Sequence, residues 1–278
     1  GAIEHKSVLD AVYYLQKSIG FSVEEVPVDR FGFTDLEALR DLMADDVLMV
    51  SVGDVNGEIG TIQPIEAISD IAHEFGAIFH CDAVQAPLAD AVQNISEFAD
   101  IVCLSSHKIY GPKGVGALFI RREIREQIEP MIHGGGQQDG LRSGTLPTPL
   151  CVGFGYAMEI LQLPNTVQRI VEMGDRRDEF VNRLSNSPFG AALNGSTKVE
   201  RHPGNANLRF SNFDARELLS MIQPRIAASM GSACSSGIPE PSYVLRKIGL
   251  STEEAYSSIR FSLGLDTTDD DINDAIDI

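Results

Sequence analysis

"ADIVCLSSHKIYGPKGVGALFIRR" (residues 99–122) decides how the chain is read. The apolar run Ile101, Val102, Cys103, Leu104 reads as a strand, and "GVGALFIRR" (114–122) reads as another. Gly111, Pro112 and Gly114 make the turn between them tight. Working upstream, "AIFHCDA" (77–83) is a short strand and "DVLMVSV" (46–52) a buried one. Between those two, "PIEAISDIAHEF" (64–75) places Ile65, Ile68, Ile71 and Ala72 near helical spacing, with Pro64 at its start. Strand, helix, strand with short connections is the βαβ pattern, so the fold class is α/β, a mainly parallel sheet flanked by helices on both faces.

Downstream of about residue 150 the texture changes. A long helical stretch (about 152–185) breaks near Pro164, followed by "NANLRFS" (205–211), a helix near 214–222, "RIAAS" (225–229) and "SSIRFSLG" (257–264). Helices mixed with antiparallel strands predict a smaller α+β C-terminal domain, giving a division into residues 1–150 and 151–278. Both ends read as cut. The opening "GAIEHKSVLDAVYYL" already shows a helix face (Val8, Val12, Leu15) with no strand before it. The closing "TTDDDINDAIDI" starts a helix with Thr268 as N-cap and Asp271 three residues on.

The chain has 278 residues, 43% of them hydrophobic, which supports one large domain or one large and one small. A net charge of −18 argues against direct nucleic-acid binding over most of the surface. No apolar run reaches the length of a membrane-spanning helix, and no signal peptide is visible. The cysteines, Cys81, Cys103, Cys151 and Cys234, form no CxxC pair, so no metal site is expected. Cys81 and Cys103 lie in apolar runs and read as core, and four scattered cysteines suit a reducing, cytoplasmic compartment.

Five places carry chemistry. Ser105, Ser106, His107 and Lys108 follow a strand directly, and ligand sites of open α/β sheets lie at the carboxyl ends of strands. Lys108 there is a surface lysine or a Schiff-base lysine. Asp82 ends the preceding strand, where a carboxylate caps the next turn or pairs with a protonated ring nitrogen, and Gln85 follows three residues on. A lysine for the aldehyde and an acid for the ring nitrogen are what pyridoxal phosphate (PLP) requires. "HGGGQQDGLRSGT" (133–145) frees backbone amides to approach an anion and adds the hydroxyls of Ser143 and Thr145. Arg260, amid a short apolar strand, needs either an internal ion pair or a substrate carboxylate. Cys234, in "RIAASMGSACSSGIPEPSYVLR" (225–246), sits among Gly, Ser and Ala rather than in an apolar run.

These stretches, with "EHKSVLD" and "VNGEIGTIQPI", resemble in order the cysteine desulfurases, PLP enzymes of the class V aminotransferase family. The resemblance covers nearly the whole chain. It is nearest the iron–sulfur cluster assembly group, and it implies a type I, aspartate-aminotransferase-like fold. It further implies that Lys108 holds PLP, Asp82 faces the pyridinium nitrogen and Gln85 the phenolic oxygen. His5 stacks on the ring and moves protons. Ser105 and His107 bind phosphate, and Thr145 reaches the phosphate of the neighbouring subunit in a homodimer. Asn56 and Arg260 hold the carboxylate of L-cysteine. Cys234 takes the sulfur as a persulfide, to be passed to an acceptor protein such as an iron–sulfur scaffold. The family pattern places a further stretch, with the first strand and a phosphate-binding helix start, before the segment that opens here. Without it, weakened PLP retention is the expectation. A selenocysteine lyase, another class V aminotransferase and a non-catalytic scaffold fragment are the alternative readings.

Overall fold

The computed structural model describes residues 1–89, 92–197, 200–231 and 240–278. Strands β1 (Met49–Ser51), β2 (Ile78–Asp82), β3 (Ile101–Ser105) and β4 (Gly116–Ile120) form a sheet in that order. The first three run parallel and β4 turns back antiparallel to β3. Helices α3 (Ile65–Glu74) and α4 (Val92–Phe98) make the two crossovers between the parallel strands. In α3, Ile65, Ile68, Ile71 and Ala72 are buried together as their spacing predicts. They pack with Val50, Phe79, Cys81 and Val102, all from the same face of the sheet.

The strand period then decides where chemistry can sit. In β2 Phe79 and Cys81 point into that core, so Ile78, His80 and Asp82 stand on the opposite, half-buried face. Two expectations change for the same reason. β1 is buried on one face only, at Val50, with Met49 exposed. Cys103, in register with Asp82, is half-buried on the polar face rather than in the core.

Further along, α5 (Thr148–Leu161) and α6 (Pro164–Ser185) resolve the long helical stretch into two, with Pro164 opening the second. Strands β5 (Ala192–Leu193), β6 (Asn205–Arg209) and β7 (Ser258–Ser262) form a separate antiparallel sheet. "RIAAS" contributes only a single bridge, Ser229 to Arg260. Phe180 of α6 meets Phe261 of β7 edge-on at 5.2 Å, and the helix α10 (Asp269–Asp277) closes this core with Ile272. Thr268 and Asp271 form the capping box their spacing suggests. The opening helix α1 (Lys6–Ile19) has no fully buried residue; of its predicted face, Val8 and Val12 are half-buried and Leu15 is exposed.

The turn after β1 ties the two sheets together. Asn205 and Asn207 of β6 each donate through Nδ2 to the Glu58 carbonyl at 3.2 Å. Arg260 of β7 donates to the Gly57 carbonyl at 3.1 Å, and the amide of Ser196 donates to Thr61 Oγ1 at 3.1 Å.

Candidate active site

The carboxyl ends of β1, β2 and β3 lie side by side, as a parallel sheet requires. Asp82 is the last residue of β2, half-buried, and its Oδ1 accepts the Val84 amide at 3.1 Å. That bond is the turn cap foreseen for a strand-end carboxylate. Gln85 lies against Gly57 in the neighbouring turn, where a Cβ on Gly57 would come within 2.9 Å of Gln85 Nε2. A side chain at residue 57 would therefore push Gln85 out of place.

On the next strand the chain passes from Ser105 into the 3-10 turn Ser106–Ile109. The Ser106 amide donates to Val115 and the Gly111 amide to Ser106, at 3.2 and 3.0 Å. Ile109 is buried against Phe154, Ala157 and Leu161 of α5. With Ile109 turned inward, His107 and Lys108 face out and are exposed. Lys108 makes no hydrogen bond or ion pair among the described residues, and Ser105 Oγ pairs with His107 Nδ1 at 2.8 Å. Tyr110 leaves the turn in the left-handed region (φ 65°) and accepts the Leu265 amide through its hydroxyl at 2.8 Å. That bond links the lysine turn to the loop after β7.

Asn56 and Arg260 come to the same turn, though Asn56 has other work. Its Nδ2 donates to the Ile3 carbonyl at 2.8 Å, and its Oδ1 accepts the amides of Glu58 and Ile59 at 2.9 and 3.0 Å. The side chain thus shapes the turn. Among the described residues Arg260 has no ion-pair partner within contact distance. It donates to the Gly57 carbonyl and, at 3.2 Å, to Ser229 Oγ, while its Nε is buried without a hydrogen bond. A half-buried guanidinium with an unused donor can bind a carboxylate.

His5 is exposed as the N-cap of α1, its Nδ1 paired with Ser7 Oγ at 2.7 Å. The residues before it run beside the site: Glu4 Oε2 accepts the Gly53 amide at 2.9 Å, and the Tyr243 hydroxyl donates to the Glu4 carbonyl. Burial holds the Glu4 carboxyl above the ordinary carboxylate range. Thr145 is not drawn into this cluster. It is exposed, at the end of a loop held by local bonds such as Gly136 to Ser143 Oγ at 3.3 Å and Gly144 to Gln137 Oε1 at 2.9 Å. Cys234 lies outside the described residues.

Sequence reasoning missed His80 and Glu58. His80 stands two residues before Asp82 on the same face, between Ser51 Oγ at 2.8 Å and Cys103 Sγ at 3.3 Å. Burial pushes its ring below the usual histidine value and raises the Cys103 thiol to about 11. The alternation of "IFHCD" was the available signal for His80. For Glu58 it was a charge set between Gly57 and Ile59 in "VNGEIGTI".

The residues suit PLP. Asp82 offers a carboxylate for a protonated ring nitrogen, Gln85 an amide donor, Ser105 and His107 an exposed donor pair for phosphate, and Lys108 an amine with no competing partner. Among the described residues no group of three or more His, Cys, Asp or Glu converges on a metal position.

Comparison with known proteins gives the family. The family model of class-V aminotransferases matches residues 1–274. Cysteine desulfurase IscS of Rickettsia typhi is 43% identical over 278 residues, covering 99% of this chain and 66% of the relative. A solved NifS-like protein superposes with a TM-score of 0.86 at 33% identity, over 99% of this chain and 72% of the other. The structure of SspA in complex with cysteine does so at 0.78 and 34%, over 95% and 72%. This chain therefore spans 66% of the length of its curated relative. With a match running from its first residue to residue 274, and a superposition that takes in nearly all of it, the chain belongs to the aminotransferase class-V family and has the type I, aspartate-aminotransferase-like fold.

Proposed function

We propose that this chain serves PLP-dependent desulfuration of L-cysteine, giving L-alanine and a persulfide on Cys234. The observation that carries the reading is the meeting of Asp82 and the Lys108 turn at adjacent parallel strand ends, with Arg260 brought from the second sheet to the turn after β1, against which Gln85 packs. The similarity to proteins named cysteine desulfurase, and the placement of Cys234 in a Gly/Ser-rich stretch that a plain aminotransferase does not need, support the sulfur chemistry.

When bound, PLP supplies the electron sink for charge developing on the substrate carbon. Lys108 Nζ would hold the cofactor's aldehyde carbon and would carry the substrate's Cα proton, with His5 as a second proton carrier. Asp82 would keep the proton on the ring nitrogen, Gln85 would donate to the phenolic oxygen, and Ser105 and His107 would hold phosphate. Arg260 takes the substrate carboxylate, with Asn56 shaping the turn beside it. The Cys234 thiolate attacks the substrate sulfur. An S–S bond forms, the C–S bond breaks, and its electron pair stays on the substrate carbon to be protonated.

The finer parts of the proposal are a homodimer in which Thr145 reaches the neighbouring subunit's phosphate, a cytoplasmic setting, a sulfur-acceptor protein of the iron–sulfur scaffold kind, and a boundary between large and small domains at residues 150/151. No helix among the described residues is long and apolar enough to cross a membrane.

The test uses the full-length protein with PLP and L-cysteine. Lys108→Ala loses both bound-cofactor absorbance and alanine formation, whereas Cys234→Ser keeps the absorbance and loses the alanine. Near-normal alanine from Cys234→Ser would move the nucleophile elsewhere and overturn the reading.

A further inference from the structure

Glu58 is a carboxylate in a place where carboxylates are costly. It is buried at 7% exposure, and its Oε1 is hydrogen-bonded to nothing among the described residues. The cost is only partly offset. The Ser242 hydroxyl hydrogen-bonds the carboxyl, and the Arg260 charge favours its ionised form, while burial pushes the group the other way. A glutamine or leucine would fill the same space without that cost, so its neighbours matter.

Two of them stand on either side of one segment. A Cβ on Gly231 would lie 1.7 Å from Glu58 Oε1 and 2.1 Å from its Cδ, so the carboxylate occupies the space a side chain at 231 would need. Ser242 is the N-cap of the helix α8 (Tyr243–Lys247). In the sequence Gly231 comes three residues before Cys234 and Ser242 eight residues after it. Both flanks of the cysteine segment therefore meet the same carboxyl group. From the other side, Asn205 and Asn207 hold the Glu58 carbonyl, and Arg260 holds the Gly57 carbonyl one residue earlier.

We propose that Glu58 is a positioning residue that holds Gly231 and Ser242, the described residues on either side of the Cys234 stretch, to the turn carrying Asn56 and Arg260, and that desulfuration depends on this hold. The inference rests on the reading of Cys234 as the sulfur-accepting nucleophile. Glu58 acts through Gly231, Ser242 and Arg260 and itself touches no reacting atom.

The experiment is a double-mutant cycle in the full-length holoenzyme: Gly231→Ala, Glu58→Asp and the two together, with Glu58→Gln beside them. Three readouts are followed: the rate of Cys234 alkylation by iodoacetamide, kcat and KM for cysteine, and the urea midpoint. Gly231→Ala is expected to change the alkylation rate and lower kcat by about tenfold, a contact-sized coupling. Shortening the acid makes room for the new methyl, so the double variant regains most of that loss. Glu58→Gln, isosteric but uncharged, raises KM by roughly tenfold, the scale of one charged hydrogen bond, with a urea midpoint at or above that of wild type. Additive effects of Gly231→Ala and Glu58→Asp, or a Glu58→Gln enzyme with wild-type kinetics and alkylation, overturn the proposal. Should Gly231→Ala fail to fold, the alkylation rate and KM of Glu58→Asp and Glu58→Gln decide alone, and wild-type values in both refute it. Alkylation needs no turnover. If Cys234→Ser shows that another residue takes the sulfur, the coupling between 58 and 231 is still read, and the two failures stay distinct.

Discussion

In the second sheet Asn207 is wholly buried, and its amide reaches both Asn194 and the Glu58 carbonyl. Beside it Arg201, 4% exposed, makes five hydrogen bonds, to the carbonyls of Asn194, Ser196 and Asn205 and to the Asn205 side chain. At the ends of the first sheet the polar groups are held far more loosely. Among the described residues Asp82 accepts one backbone amide, Lys108 engages none of its hydrogens, and Ser105 and His107 bond mainly each other. Both regions bring polar side chains together on strands. One satisfies them within the protein, and a buried network of that kind specifies structure. The other leaves donors and acceptors open at strand ends, where a ligand completes them.

If this contrast is right, stability should depend on the second region and chemistry on the first. The largest effect is expected from Arg201→Ala. It leaves three backbone carbonyls buried without donors, each costing about 1–3 kcal/mol, so a loss of about 3 kcal/mol or more is expected. Urea unfolding followed by fluorescence or circular dichroism, at unchanged m-value, measures it. A loss under about 1 kcal/mol, the range of ordinary surface changes, would mean that water replaces the guanidinium and that the network is less closed than its bonds suggest.

Much of this division was legible in the sequence, though not evenly. The period of "PIEAISDIAHEF" and the apolar runs around it were enough to place α3, β2 and β3, because helix and strand periodicity are local signals. The strand-end positions of Asp82 and Lys108 followed from the same pattern. The second sheet's network was not legible. Arg201 and Asn207 are polar residues in a polar neighbourhood of the sequence, and only the antiparallel pairing of β6 with β7 buries Asn207. Glu58 escaped for a similar reason, since its neighbours Gly231, Ser242 and Arg260 come from far along the chain. Cys103 was misplaced because an apolar run does not reveal which alternate residues face the core. Arg260 was read correctly as needing partners, but carbonyl and hydroxyl oxygens answered where a carboxylate was expected.

A middling effect should come from acid. His202 lies between the two arginines of the network; burial first, then Arg177 and Arg201, push its ring down to about 4. Its Nδ1 accepts the Gly204 amide at 3.0 Å, which needs the neutral ring. Because the folded value lies below the unfolded one of 6.5, the unfolded chain takes the proton first. This contribution to stability is full above pH 6.5, declines as pH falls toward about 4, and is flat below that. At 1.36 kcal/mol per unit, reduced for the ring's partial exposure, the loss is about 2 kcal/mol. His202→Gln should therefore unfold with a shallower acid dependence than wild type over that window. Parallel curves for the two proteins would place the acid sensitivity elsewhere.

The smallest effect on stability is expected where the effect on function is greatest. Asp82 contributes one hydrogen bond, to Val84, from a half-buried position at a strand end. Its charge also opposes that of Glu4, whose carboxyl is already raised by burial and is raised further by Asp82. Asp82→Asn keeps an acceptor for the Val84 amide and removes that repulsion. The two changes nearly cancel, and unfolding free energy should stay within about 0.5 kcal/mol of wild type, as for ordinary surface substitutions. The same change removes the only property the proposed chemistry asks of residue 82, a negative charge to hold a proton on a ring nitrogen. Alanine formation by the full-length enzyme should fall sharply while the urea midpoint stays in place. A residue kept at a strand end for its charge, at no gain in stability, is what a site that trades stability for activity requires. Equal losses of activity and stability in Asp82→Asn would instead show that Asp82 belongs with Arg201 and Asn207 as structure, and the contrast between the two sheets would not hold at its most important residue.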